Sequence, residues 1–441
     1  MIIGNGRLYT NDPDNLYIEN GAVYIEGGLV KEVGKFEDIK AKYPNEELLD
    51  ADGRLIMPGM INAHTHIYSS YARGMSVDKP QRDFNEILEN LWWNLDKKLT
   101  LKDTELNAYT TYMESIRNGT TTVIDHHASP YHTEGSLFKI AEVAKKIGIR
   151  TSLCYEVSDR DGEEITDQQI KENVDFIKAY QGDDQSMIKG LFGLHASFTV
   201  SDKTLEKSVK AMQGLDSGYH VHVAEGIKDQ MHCVQTYGRR IVERFYDWGL
   251  LGKKSLAVHC VHTNIRELEI LRDTDTNCVH NPESNMGNAV GCTPAIKMIE
   301  MGLRLGLGTD AYTHDMFESM KVANILHRHH LCNPTVGFME TMTMQFVNNP
   351  IIAQNVLDSP QLGIIKEGAA ADIITMEYNP ITPFSGDNFY GHALFGMTGR
   401  LTNDVVINGK LILKDRKFVE IDEEEIVAKS REGAAAIWPK M

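Results

Sequence analysis

The chain of 441 residues carries a formal net charge of −17, with 42% hydrophobic and 24% charged residues. That balance belongs to a globular protein with a packed core, and the acidity argues against a nucleic-acid or anionic-membrane surface. The length admits one large domain with an accessory part, and no uninterrupted apolar stretch is long enough to span a bilayer.

The opening "MIIGNGRLYT" lacks a basic segment followed by an apolar one, so no signal peptide is expected. Six scattered cysteines (Cys154, Cys233, Cys260, Cys278, Cys292, Cys332) form no CxxC pair, which suits reduced thiols in a cytoplasm. The first fifty-odd residues read as short strands and turns, as in "GAVYIEGGLVKEVG" and "EELLDADGRLIMPG". The same texture returns in "GAAADIITMEYNP" and "DVVINGKLILKDRKF". Both zones are rich in β-branched residues with Gly or Asn-Gly punctuation, as in antiparallel sheets. Neither has enough strands to stand alone, so residues 1–57 and 358–441 are expected to pair into one small β-sandwich domain. The acidic stretch "IDEEEIVAKSREGAAAIW" adds a surface helix to it.

Residues 58–357 change character. Apolar runs ("LIMPGMINAHTH", "TTTVIDHH", "RTSLCYEV", "GLFGLHAS", "YHVHVAE", "SLAVHC", "TNCVHN", "LRLGLGTD") alternate with amphipathic stretches such as "TELNAYTTYMESIRN", "LFKIAEVAKKIG" and "GRRIVERFYDWG". Strands alternating with helices imply parallel crossovers, and eight such units predict an α/β protein with a (β/α)₈ TIM barrel. Nearly every run ends in a chemically able residue: His66, His126, Glu156, His195, His222 with Glu225, His259, His280 and Asp310. In a barrel of this kind the C-terminal strand ends floor the active site. Residues 68–100, with Trp92 and Trp93, would form a large loop over it.

In "NAHTHIY", His64 and His66 stand two apart, so a strand would aim both at one side. "HVHVAE" repeats the spacing with His220 and His222, of which the later sits nearer the strand end, and then supplies Glu225. "GLGTDA" contributes Asp310. Three imidazoles and a carboxylate suit one divalent cation, zinc first and iron(II) as the alternative, with a position left for water. Such an ion lowers the pKa of bound water to about 7. The run "HRHH" (His327, His329, His330) ends an amphipathic helix, where cations favour the C-terminus, and a second metal site is not expected there.

The set "HTH", "HVHVAE", "VHC" and "GTD" resembles the amidohydrolase superfamily, in its mononuclear-metal aminohydrolase branch. That branch includes ATZ/TRZ-like enzymes and guanine, cytosine and S-adenosylhomocysteine deaminases. "NLWWNLDKKL", "TTVIDHHASP", "SNM" and "HALFGM" are similar to its SsnA subgroup. Strand four offers His195 and no lysine, so the carbamylated lysine of binuclear members has no candidate there. The resemblance implies His64, His66, His222 and Asp310 as metal ligands. It implies Glu225 as proton shuttle, His259 beside the attacking water or leaving group, and Asp310 as a catalytic as well as ligating carboxylate. Dechlorinating relatives tend to lack the shuttle acid, since chloride needs no proton to leave, so Glu225 favours ammonia.

The expected activity is therefore hydrolytic deamination of a nitrogen heterocycle such as a purine, pterin or pyrimidine. His195, His126, His127, His280, Trp92 and Asn285 are candidate substrate contacts, with Arg73 and Arg160 as weaker ones. Ring-opening of a cyclic amide or amidine by the same apparatus, and a catalytically silent heterocycle-binding barrel, are the alternatives. The zinc-deaminase signature with P-C-x-x-C and the metalloprotease motif H-E-x-x-H are absent. A small heterocycle is the expected partner, with neither nucleic acid nor membrane, and a homodimer is left open.

Overall fold

The computed structural model describes residues 1–182 and 187–441. Five strands come first: β1 (Ile2–Tyr9), β2 (Tyr17–Glu26), β3 (Leu29–Lys35), β4 (Leu48–Asp50) and β5 (Leu55–Pro58). Nine strands follow: β6 (Met60–Thr65), β7 (Thr120–Asp125), β8 (Arg150–Leu153), β9 (Ile188–Gly190), β10 (Phe192–Ala196), β11 (Tyr219–Val223), β12 (Leu256–His259), β13 (Asn277–His280) and β14 (Leu305–Leu307). The last four are β15 (Ile373–Met376), β16 (Thr402–Ile407), β17 (Lys410–Lys414) and β18 (Lys417–Phe418).

The run "LIMPGMINAHTH" is two strands rather than one. β5 joins the strands of the termini, and β6 begins the parallel set after Gly59. Strands of both termini hydrogen-bond in one order, β18-β17-β16-β15-β5-β1-β2-β3, with β4 on β1. This is one continuous hydrogen-bonded sheet. Its turns sit where the chain tolerates left-handed backbone, as at Asn408 and Gly409 between β16 and β17 (φ 50° and 73°).

The central strands pair in parallel as β6-β7-β8-β9 and β10-β11-β12-β13-β14. Every residue of these strands is buried, as befits parallel strands covered by their crossover helices. Ile61, Ala63, Ile124, Leu256, Val258 and Val279 share one apolar cluster with Ile352 and Val356 of the helix Asn349–Leu357. Alternate residues (Met60, Val123, Leu194, Val221, Ala257, Leu305) pack outward against helices. Burying each aliphatic side chain is worth about 1.5–3 kcal/mol, so both faces of these strands are fixed by the same period of two.

The crossover helices begin where the sequence supplies caps. Thr100 and Asp103 form a capping box on Leu101–Arg117, and Asn264 and Glu267 do so on Ile265–Asp273. The helix Ser136–Ile147 ends at Gly148, whose φ of +85° suits glycine. Two junctions join the parallel sheets. Val157 bridges Leu194, and Asp310 bridges Thr65 while its N–H donates to the His64 carbonyl at 3.0 Å. Gly308 permits that approach, because a Cβ there would lie 2.9 Å from the His64 oxygen. The terminal helix Glu423–Ile437 packs on Leu101–Arg117, and Trp438 Nε1 donates to the Tyr71 carbonyl at 2.8 Å. Among the described residues no helix is long and apolar enough to cross a membrane.

Candidate metal-binding active site

β6 delivers His64, His66 follows directly after it, β11 delivers His222, β12 ends in His259, and the loop after β14 carries Asp310. The backbone leaves the strands through left-handed residues at this point: Ala224 (φ 49°), His259 (φ 72°), Cys260 (φ 52°) and Asp310 (φ 55°). Such conformations cost about 1–3 kcal/mol each in non-glycine residues and gather where function demands them. They turn successive side chains into one space.

His66 Nδ1 donates to the His126 carbonyl at 2.6 Å, and His222 Nδ1 donates to the His195 carbonyl at 2.8 Å. With the proton held on Nδ1, both Nε2 atoms present lone pairs toward each other, 3.3 Å apart. Two acceptors cannot bond one another. Asp310 Oδ1 lies 3.4 Å from His66 Nε2, and His64 Nε2 is buried without a hydrogen-bond partner. His64 is held from behind, its Nδ1 2.9 Å from His220 Nε2. Ligands at about 2.0–2.1 Å from a tetrahedral cation would stand about 3.3–3.4 Å apart, which is the spacing found. The donor atoms of His64, His66 and Asp310 lie within 4.8 Å of one another, as do those of His64, His222 and His259, and of Glu225, His259 and Asp310. The residues fit a divalent cation.

Burial lowers the pKa of His64 and His222 well below the ordinary value, with neighbouring imidazoles adding to the effect. His66 and His259 are lowered by burial too, though the Asp310 charge opposes it. All four are therefore neutral near pH 7, the form that binds metal. Glu225 is raised well above the carboxylate range by burial and then by the charge of Asp310. A cation between them would pull in the other direction.

His220 and His222 share a strand face, and the structure separates their positions. His222 faces the cavity, while His220 sits one layer deeper against His64, with Cys154 Sγ 3.5 Å from its Nδ1. His259 Nδ1 donates to Asn285 Oδ1 at 2.8 Å, and the Asn285 amide nitrogen donates to Thr293 at 3.0 Å. Asn285 thus stands behind His259. Ser284, its neighbour, donates to Asp310 Oδ2 at 2.6 Å, a contact that only the quoted "SNM" run could have hinted at.

The space beside these donors is lined by His66, Tyr68, Phe84, Leu88, Trp92, Trp93, Glu156, His195, His222, Glu225, Asn288 and Asp310. It opens on one side to a cavity of about 200 Å³ past Phe198 and Lys228, and on the other to one of about 510 Å³ past Arg73 and His314. Of the candidate substrate contacts, His195 and Trp92 line this space. His126 lies beneath it, its Nε2 3.2 Å from the carbonyls of Leu194 and His220. His127 bonds Ser129 and packs on Tyr155. His280 pairs with His327, Nε2 to Nε2 at 3.2 Å. None of these three, nor Asn285, lines the space.

Trp92 and Trp93 both line it, where a strand-like reading admits only one. The segment Leu88–Leu95 is helical, so adjacent side chains differ by about 100° and not by 180°. Arg73 pairs with Glu114 at 2.8 Å on the wall of the neighbouring cavity. Arg160 bonds Asp96 and lies over the Trp93 ring, 5.3 Å from its centroid.

The amidohydrolase family profile matches residues 55–412, and the chain belongs to the amidohydrolase family. A 5'-deoxyadenosine deaminase of Methanosarcina mazei is 32% identical, covering 98% of this chain and 97% of its own. A 5-methylthioadenosine/S-adenosylhomocysteine deaminase of Syntrophomonas wolfei is 30% identical over the full length of both. In fold, the chain is similar to an adenosine deaminase from Xanthomonas campestris solved with bound zinc, with a TM-score of 0.87, 23% identity, and 99% and 98% of the two chains covered.

Proposed function

We propose that the chain is a metal-dependent aminohydrolase that removes an amino group from a purine-like heterocycle, in which His64, His66, His222 and Asp310 hold one divalent cation. The observation that carries this reading is that His66 Nε2 lies 3.3 Å from His222 Nε2 and 3.4 Å from Asp310 Oδ1, with a ring nitrogen of His64 within 4.8 Å of donor atoms of all three. The names of the relatives, deaminases of adenosine derivatives, support the substrate class. Zinc is the expected ion, with iron(II) as the alternative.

The fold behind this reading is one (β/α)₈ barrel over residues 58–357, its two parallel arcs joined by the Val157–Leu194 and Thr65–Asp310 bridges. Residues 1–57 and 358–441 form the second domain. Ile3 and Val23 share a cluster with Ile373 and Val406, which supports a sheet curled over into a sandwich. Six free thiols fit a reducing cytoplasm.

When bound, the cation makes water acidic enough to supply hydroxide near pH 7. The protein supplies position and protons. Asp310, touching His66 on one side and 3.5 Å from His259 on the other, accepts the proton that water gives up. Glu225, its carboxylate 3.5 Å from His259 Nε2 and facing the same space, enters the reaction in its acid form, which burial favours. It gives that proton to the ring nitrogen as the carbon becomes tetrahedral. The proton held by Asp310 and the one on the new hydroxyl then protonate the amine through Glu225 and restore its acid form, so that ammonia leaves and a ring carbonyl remains. His259, its Nδ1–H held by Asn285, turns an unprotonated Nε2 to the same space, where it accepts a hydrogen bond from the attacking water.

Ammonia release from a panel of aminated purines, pterins and pyrimidines, with elemental analysis of the same preparation, tests the reading. Glu225→Gln should retain the cation and lose about 10²–10⁴ in kcat. A near-wild-type rate in that variant removes the shuttle assignment. Ring-opening or a silent barrel would yield no ammonia at all.

A further inference from the structure

Glu156 ends the extension of β8 and lines the same space as Glu225 and Asp310, yet the reaction above leaves it without a task. It is 3% exposed. His126 Nδ1 is 3.3 Å from its Oε2, while His195 Nε2 and Arg160 stand 3.9 and 4.0 Å from its Oε1. A charge-assisted hydrogen bond is about 2.7–2.9 Å long, so these neighbours balance the charge without filling the acceptor capacity of the oxygens. Arg160 hydrogen-bonds Asp96 through Nη2, and its Nε stands 3.4 Å from Asp161. A buried carboxylate that faces a ligand space with unfilled acceptors asks for donors from the ligand.

Two acidic sets of donor atoms border the space. The donor atoms of Glu225, His259 and Asp310 cluster on one side, and those of Glu156, His195 and His222 on the other, each set within 4.8 Å. A ring whose aminated carbon lies at the first flank brings another edge of the same ring to the second. Adenine-type rings show lone pairs at N1, N3 and one imidazole nitrogen, which a carboxylate repels; the imidazole N–H of the free base is common to guanine and does not distinguish the two. Aminated lactams, as in guanine and pterins, carry a ring N–H beside the carbonyl. Sugar hydroxyls also donate, and the free bases, which carry none, separate that source from the ring N–H.

We infer that Glu156 is the specificity-determining acceptor of this site and selects an aminated lactam, presenting a ring N–H, over an adenine-type ring. The inference rests on the deaminase reading and narrows it. Its consequence is a substrate unlike the adenosine derivatives in the relatives' names.

The test compares ammonia release, with kcat and KM resolved, for matched pairs: guanine against adenine, and guanosine against adenosine, with pterin as a third lactam. Wild-type enzyme should favour the lactam of each pair that it turns over. Glu156→Gln should lower kcat/KM for the lactams by about 10- to 100-fold and narrow the ratio within each pair. A merely structural role would depress both members alike and leave the ratio unmoved, which overturns the assignment. A wild-type preference for adenine or adenosine overturns it as well, even if the variant fails to fold, while leaving deamination intact. Ammonia from none of the amines removes the deaminase reading and this inference with it.

Discussion

The ends of the parallel strands and the sheet of the two termini are built from similar apolar, β-branched segments, but they treat buried polar groups in opposite ways. In the terminal sheet the buried carboxylates Asp372 and Asp404 are paired, although the Thr402 hydroxyl is not. Arg150 reaches from β8 to clasp Asp372 through two bonds of 2.9 and 3.1 Å, and Asp372 Oδ1 also accepts the Asn408 N–H at 2.8 Å. At the strand ends, buried polar atoms are left open: His64 Nε2 and His259 Nε2 have no hydrogen-bond partner, and the turns after β11, β12 and β14 run through left-handed backbone. A polar group buried without a partner costs about 1–3 kcal/mol, so a cluster of them marks a place where a ligand completes the bonding. The terminal sheet contributes stability, and the strand ends hold the unsatisfied donors and acceptors of a site.

Substitution at the centre should have the largest effect. Asp310→Ala should lose the cation and reduce ammonia release to background, with the thermal transition of the metal-free protein little changed. Elemental analysis and calorimetry check both. Retention of stoichiometric metal would dissolve the contrast between the two regions.

Arg150→Ala should act in the opposite sense. It strands a buried carboxylate and should cost about 3–5 kcal/mol in denaturant unfolding, while kcat per folded molecule and metal content stay near wild type. Acid should destabilise the fold in a similar range. Burial lowers His314 and His327 to about 4 from the usual 6.5. Between those values the unfolded chain takes up protons that the folded chain refuses. Stability present above pH 6.5 is thus lost as the pH falls toward 4, by about 3 kcal/mol per residue at the limit. Unfolding midpoints recorded from pH 8 to pH 4 should fall through that window, and a flat profile would refute the neutral, buried state of both histidines. The smallest effect is expected at His220→Ala, where His64 keeps its place but loses its backing. Metal affinity should weaken about 10- to 100-fold, measured by competition with a chelator.

Much of this arrangement was legible before the fold was known. The period-two pair in "NAHTHIY", the acid three residues past His222 in "HVHVAE" and the aspartate of "GLGTDA" all lie at the ends of apolar runs, and the structure gathers them at one end of the parallel strands. Less was legible about neighbours. His280 and Asn285 also end or follow apolar runs, yet one pairs with His327 and the other stands behind His259. Run position gives the depth of a residue along its strand, but not which way its ring turns or what already occupies its hydrogen bonds. Glu156 carried the same signal as His66 and received no role, because its meaning depends on His126, His195 and Arg160 around it.

The sequence by itself determined which kinds of donor stand at strand ends, since a period of two and a run of apolar residues are local properties that survive in any fold containing those strands. Only the tertiary structure decided that His222 and not His220 faces the open space, and that both tryptophans line it. It also decided that Glu156 is held beside His222 with acceptors to spare. Those outcomes depend on register and on contacts between segments far apart in the chain, where each hydrogen bond made by one atom removes it from the choices of another.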